Sequence, residues 1–133
     1  MSESEITVTP LNAQVVLSAS EGAEFPEWVT GEESAVATDS AILVATREDL
    51  DGNVTVRVLI DEFAPEGEKV FESTLSLPTP TPTPTPSVRF GSFLSGELAE
   101  IELPGAGEYT AQVYVDDPAG ASTVLVLLRR REG

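Results

Sequence analysis

Residues 76–88 read SLPTPTPTPTPSV, with prolines at the alternate positions 78, 80, 82, 84 and 86, near the middle of a chain of 133 residues. Alternating proline favours a polyproline II rod of about 3 Å per residue, so Pro78 to Pro86 reaches about 28 Å. As an interdomain spacer it would isolate residues 87–133, a piece of under about fifty residues that is hard to stabilise without a disulfide or metal. As a connection between two strands it costs little, and its prolines cannot join a neighbouring sheet edge. The expectation is therefore a single domain over 1–133, with residues 76–87 forming a Thr-Pro-rich surface loop within it.

On both sides of this stretch apolar residues recur at period two, in segments rich in Val, Thr, Ile, Phe and Tyr, the types that fit a pleated surface. Strands are expected near Ile6–Thr9, Gln14–Ser20, Ala41–Thr46, Val54–Ile60, Val70–Leu77, Val88–Phe93, Ala99–Leu103, Tyr109–Val115 and Thr123–Arg129. Val54, Val56, Val58 and Ile60 share one strand face, and Tyr109, Ala111, Val113 and Val115 share another. TVLVLLRRR at 123–131 and AILVA at 41–45 are apolar at consecutive positions, which suits strands covered on both faces. Asp51-Gly52-Asn53 has the chemistry of a tight hairpin turn. LPGAGEY and VDDPAGAS are further breaks, and the one place for a short helical turn is FPEWVTGEESA, opened by Pro26 and limited by Gly31. The pattern predicts an all-β fold, a single antiparallel β-sandwich of about eight to nine strands.

Composition narrows the function. Twenty-three acidic residues against seven basic ones give a formal charge of -16, a field that repels nucleic acid and anionic membranes and steers basic proteins inward. There is no cysteine and no histidine, so Ser-His, Cys-His and the usual zinc arrangements cannot be built. No secretory leader or membrane span is read in the sequence, and the expectation is a cytoplasmic chain. The expectation is no enzyme, no cofactor and no metal, and a basic protein as partner, with oligomeric state left open.

Weaker motifs fall on inspection. Glu100 with Glu102, or Asp116 with Asp117, could in principle do paired-carboxylate chemistry, but a solvated strand face and a turn explain them. REDLDGNV alternates Asp49, Asp51 and Asn53, yet Gly52 stands fourth where a calcium loop needs it sixth, and Ile60 twelfth where it needs Glu. GSFLSG lacks the lysine of a phosphate loop. The stretch SEGAEFPEWVTGEES surrounds Phe25 and the only tryptophan, Trp28, with Glu21, Glu24, Glu27, Glu32 and Glu33. An aromatic anchor in an acidic rim suits a partner-binding hot spot; the other reading makes Trp28 a plug of the core.

The order of these segments, EWVTGEESAVATDSAILVAT, NVTVRVLI, VFESTLSL, SVRFGSF and AEIELPGAGEYTAQVYV, resembles the competence protein J family over residues 12–128. That resemblance implies a small acidic β-sandwich of the kind that binds and restrains a DNA-entry nuclease. The Thr-Pro stretch departs from it. Two functions follow as expectations: an inhibitor or immunity-type module that neutralises a basic partner such as a nuclease, or a non-catalytic assembly sandwich of a salt-adapted organism.

Overall fold

Period-two alternation becomes ten strands in two five-stranded sheets. The computed structural model describes residues 2–10, 13–19, 24–30, 33–60, 67–77, 86–92, 95–105 and 107–130. The strands are β1 (Ser2–Val8), β2 (Gln14–Ala19), β3 (Ala35–Ala37), β4 (Ala41–Ala45), β5 (Val54–Ile60), β6 (Glu68–Leu77), β7 (Ser87–Ser92), β8 (Glu97–Glu102), β9 (Gly107–Val115) and β10 (Thr123–Arg130). The first sheet has the order β1-β5-β10-β9-β6 and the second β3-β4-β2-β7-β8. Among the described residues every pairing is antiparallel except β10 on β5, where Val126 stands beside Val58 in parallel register.

The inner faces meet in one core. Val56, Val58, Tyr109, Val113, Val126 and Leu128 of the first sheet join Val15, Leu17, Ile42, Val44, Val88 and Phe90 of the second. Each such side chain contributes about 1.5–3 kcal/mol on leaving water. Tyr109 is fully buried, and its hydroxyl donates to the Gly105 carbonyl at 2.6 Å, so burial leaves no polar orphan. β10 and β4 are covered on both faces, as their continuous apolar runs require.

Two bonds close the flanks. The Thr9 amide donates to Glu97 Oε1 at 2.8 Å, setting β1 against β8, and the Ser76 amide donates to the Asp39 carbonyl at 2.7 Å, setting β6 against the β3–β4 turn. Both sheets take strands from either side of the Thr-Pro stretch: β7 lies on β2, and β9 and β10 lie between β5 and β6. Residues 78–85 themselves are outside the described residues, as are Ser20 and Phe93 at two expected strand ends.

The sequence expectation differs from the structure in three places. β3 is an additional strand, three residues long with only Ala35 buried, too short to show a period. Asp51-Gly52-Asn53 closes no hairpin; it carries the chain from β4 in the second sheet to β5 in the first. Gly52 does take a positive φ of 123°, and Arg47 Nε donates to the Asn53 carbonyl at 3.1 Å, so the turn chemistry is present but serves a crossing between layers. Finally, no helix forms over the described part of 25–35. Val29 and Thr30 give their amides to the Glu33 carboxylate at 2.7 and 2.9 Å, and Pro26 has no amide to give.

Candidate partner-binding surface

On β2, Val15, Leu17 and Ala19 face the core, so Gln14, Val16 and Ser18 face outward. In register with them on β4 stand Ala45, Leu43 and Ala41. Outward residues of a sandwich normally meet water, yet Val16, Ser18, Ala41 and Leu43 are buried.

Residues 24–28 cross this face. At one end the Glu24 amide donates to Ser40 Oγ at 2.7 Å, and the Thr38 hydroxyl donates to the Glu24 carbonyl. At the other, Trp28 Nε1 donates to Gln14 Oε1 at 2.9 Å. Ser18, paired with Ala41 beside Ser40, lies four residues from Gln14, about 13 Å along a strand. Four extended residues span that length, so the segment runs as a strap over the second sheet.

An extended segment points successive side chains to opposite sides, and residues 25–29 do so. Pro26 and Trp28 are half-buried, whereas Glu24, Phe25, Glu27 and Val29 are exposed, Phe25 by 47% and Val29 by 85%. Trp28 does not belong to the core cluster; it fastens the strap.

Glu33 closes the bend that follows. Besides the two amides it accepts the Thr30 hydroxyl. The Thr30 hydroxyl first, then the Val29 amide, hold its carboxyl at about 2 against an ordinary 4.5, because each donor favours the ionised form. Glu21 and Glu32 of the expected site lie outside the described residues.

Across the same face, on β8, Leu98 is 38% exposed, and Glu100 and Glu102 stand outward beside it. Glu100 lies opposite Arg89 and Glu102 opposite Ser87. The Arg89–Glu100 ion pair is loose at 3.8 Å, and Ser87 Oγ donates to Glu100 at 3.0 Å. Of the carboxylates singled out for paired chemistry, Glu100 and Glu102 do share a face. Asp116 and Asp117 form turn contacts instead, accepting the Ser122 and Ala119 amides at 2.9 Å each. Among the described residues no three His, Cys, Asp or Glu side chains gather as metal ligands.

Sequence reasoning singled out Glu24, Phe25, Glu27, Trp28 and Glu33 together, and the structure divides them. Phe25 and Glu27 point to solvent, Trp28 and Glu33 hold the strap, and Glu24 anchors it through its backbone. Val29 and Leu98 were missed. A single exposed apolar residue leaves no periodic signal, and only placement on a shared face distinguishes it.

No family model matches the chain, and no curated protein matches it. Among solved structures the chain is similar to ComJ of Bacillus subtilis, described as an inhibitor of the DNA-degrading activity of NucA. The likeness covers 98% of this chain and 96% of that one, with a TM-score of 0.62 at 12% identity. It establishes a shared fold and bears out, at the level of fold, the resemblance read from the sequence. Among the described residues no helix is long and apolar enough to cross a membrane.

Proposed function

We propose that this protein is a non-catalytic, inhibitor-type binding module of the cytoplasm that covers and neutralises a basic protein, a DNA-degrading nuclease being the class favoured by its fold. The observation that supports it is the outer face of the second sheet. There Phe25, Val29 and Leu98 are exposed among Glu24, Glu27, Glu100 and Glu102, and Arg89 is the only cation placed on that face among the described residues. Apolar anchors within a single-sign rim match the usual anatomy of a recognition patch. The charge of -16 adds steering toward a basic cleft.

The test measures DNA cleavage by NucA and by a panel of purified basic nucleases, titrated with this protein at low and high salt. Stoichiometric inhibition that weakens as salt rises is the expected result. Undiminished cleavage by every nuclease in molar excess of the protein overturns the reading.

A further inference from the structure

We infer that residues 24–30 are a preorganised recognition strap in which Trp28 is a positioning residue, while Phe25, Glu27 and Val29 are the side chains that meet the partner. This rests on the partner-binding reading above and assigns roles within that surface. A lone tryptophan in an acidic loop reads as the hot spot, but the geometry gives that part to its neighbours. The indole has one donor, and it is committed to Gln14. Trp28 and Pro26 face the sheet, and Phe25, Glu27 and Val29 alternate with them on the solvent side.

The strap is fastened before any partner arrives. Glu24 is held at Ser40 and by Thr38, Trp28 at Gln14, and the bend at 29–30 by Glu33. Pro26 fixes a further backbone angle. A segment already held in its bound shape loses less conformational freedom on association, and that saving appears as affinity. The ridge presents two apolar side chains flanking a carboxylate, with Leu98, Glu100 and Glu102 beyond it on the same sheet face. Its complement is a basic protein whose apolar hollow is rimmed by Lys and Arg. A nucleic acid offers neither the hollow nor the charge.

The experiment uses the full chain and whichever nuclease of the panel it inhibits, following association, dissociation and Trp28 emission. Phe25→Ser with Val29→Ser should speed dissociation by more than about tenfold while association and melting temperature stay put. Gln14→Leu leaves every presented residue intact but removes the acceptor for Trp28. It should slow association about tenfold, as the fraction of molecules with a seated strap falls, and move Trp28 emission to longer wavelength. Gln14→Glu keeps an acceptor and should restore both. Unchanged dissociation in the first variant, or wild-type association in Gln14→Leu, overturns the division of roles while leaving partner binding standing. A wild-type protein that inhibits no nuclease of the panel overturns both.

Discussion

The two outward faces of this sandwich are built from similar residue types and finished in opposite ways. On the first sheet Leu59, Leu125 and Leu127 point away from the core yet are buried, packed with Tyr114. Charged groups guard both edges: Arg57 bridges Glu3 at 2.5 Å and Glu5 at 3.3 Å. Lys69 meets Glu72 at 2.6 Å, and Gln112 donates to the same carboxylate at 2.9 Å. Phe25, Val29 and Leu98, three of the large apolar side chains exposed among the described residues, belong instead to the second sheet or its strap; Leu50 sits on the 3-10 turn Asp49–Asp51. The first face pairs its described apolar residues and charges with one another, and the second, with Val16 and Leu43 buried, keeps Phe25, Val29, Leu98 and Glu102 exposed beside one loose pair, Arg89–Glu100. Such an asymmetry makes the second face the candidate for a partner surface.

The sharpest way to break this comparison is to truncate one residue on each face. Leu127 is 1% exposed, and Leu127→Ala should cost about 2–5 kcal/mol of stability through lost burial and the cavity left behind. Val29→Ala should stay within about 0.5 kcal/mol. Denaturant unfolding of the two variants settles the matter, and equal losses would erase the distinction between a sealed face and an open one.

Charge reversal sharpens it next. Glu100→Lys with Glu102→Lys should slow association with an inhibited nuclease about tenfold at low salt, with little change in melting temperature. Glu3→Lys with Glu5→Lys should do the opposite, weakening the fold by up to about 1 kcal/mol through the lost Arg57 pairs and leaving association nearly unchanged. Stopped-flow rates beside melting curves separate these outcomes; equal slowing by both pairs would mean that only net charge matters.

How much of this was legible in the sequence follows from which interactions have a period. β5, β9 and β10 were readable because one or both of their faces are buried along most of their length, and burial writes itself into every second or every residue. β3 is three residues deep in alanine and valine and writes nothing. The turn at Asp51–Asn53 showed its backbone chemistry correctly, but a turn specifies local angles and not which sheet receives the next strand. The strap is the instructive failure. Pro26 and Trp28 alternate with Phe25 and Glu27 over too few residues to stand out, and the short segment looked more like a helical turn. Its extended form depends on Ser40, Gln14 and Glu33, partners supplied by the fold.

Acid titration at low and at high salt should distinguish the faces. Glu33 has a folded pKa of about 2 against an ordinary 4.5. A depressed carboxylate contributes stabilisation that is complete above the unfolded value and lost as pH falls through the folded one, so the bend after the strap should loosen between about 4.5 and about 2. Trp28 emission reports it, and Glu33→Gln should flatten the profile. On the other face the Lys69 ammonium, then Gln112, lower the Glu72 carboxyl, so its contribution is also lost in acid. The donors to Glu33 are neutral and those to Glu72 include a cation, so added salt should weaken the second and spare the first. A Trp28 profile that moves with salt would contradict this account of the bend.

The smallest expected effect tests whether both faces belong to one folding unit, which comparing them presupposes. The Thr-Pro stretch leaves the first sheet at Leu77 in β6 and enters the second at Ser87 in β7. β6 lies against the β3–β4 turn, and β7 is three strands from β3. With strands about 4.8 Å apart and sheets about 10 Å apart, the crossing needs about 17 Å, whereas the prolines can reach about 28 Å. The connection is therefore longer than its task. Deleting one Thr-Pro repeat, Thr79 and Pro80, leaves ample reach and changes the closure term by only a few tenths of a kcal/mol, roughly. The variant should unfold in one cooperative transition close to that of the parent, because β7, β9 and β10 lie among strands from the other side of the stretch and neither half keeps a complete sheet alone. Two transitions, in the parent or the variant, would show that the halves stand independently, and the two faces would then be properties of two domains.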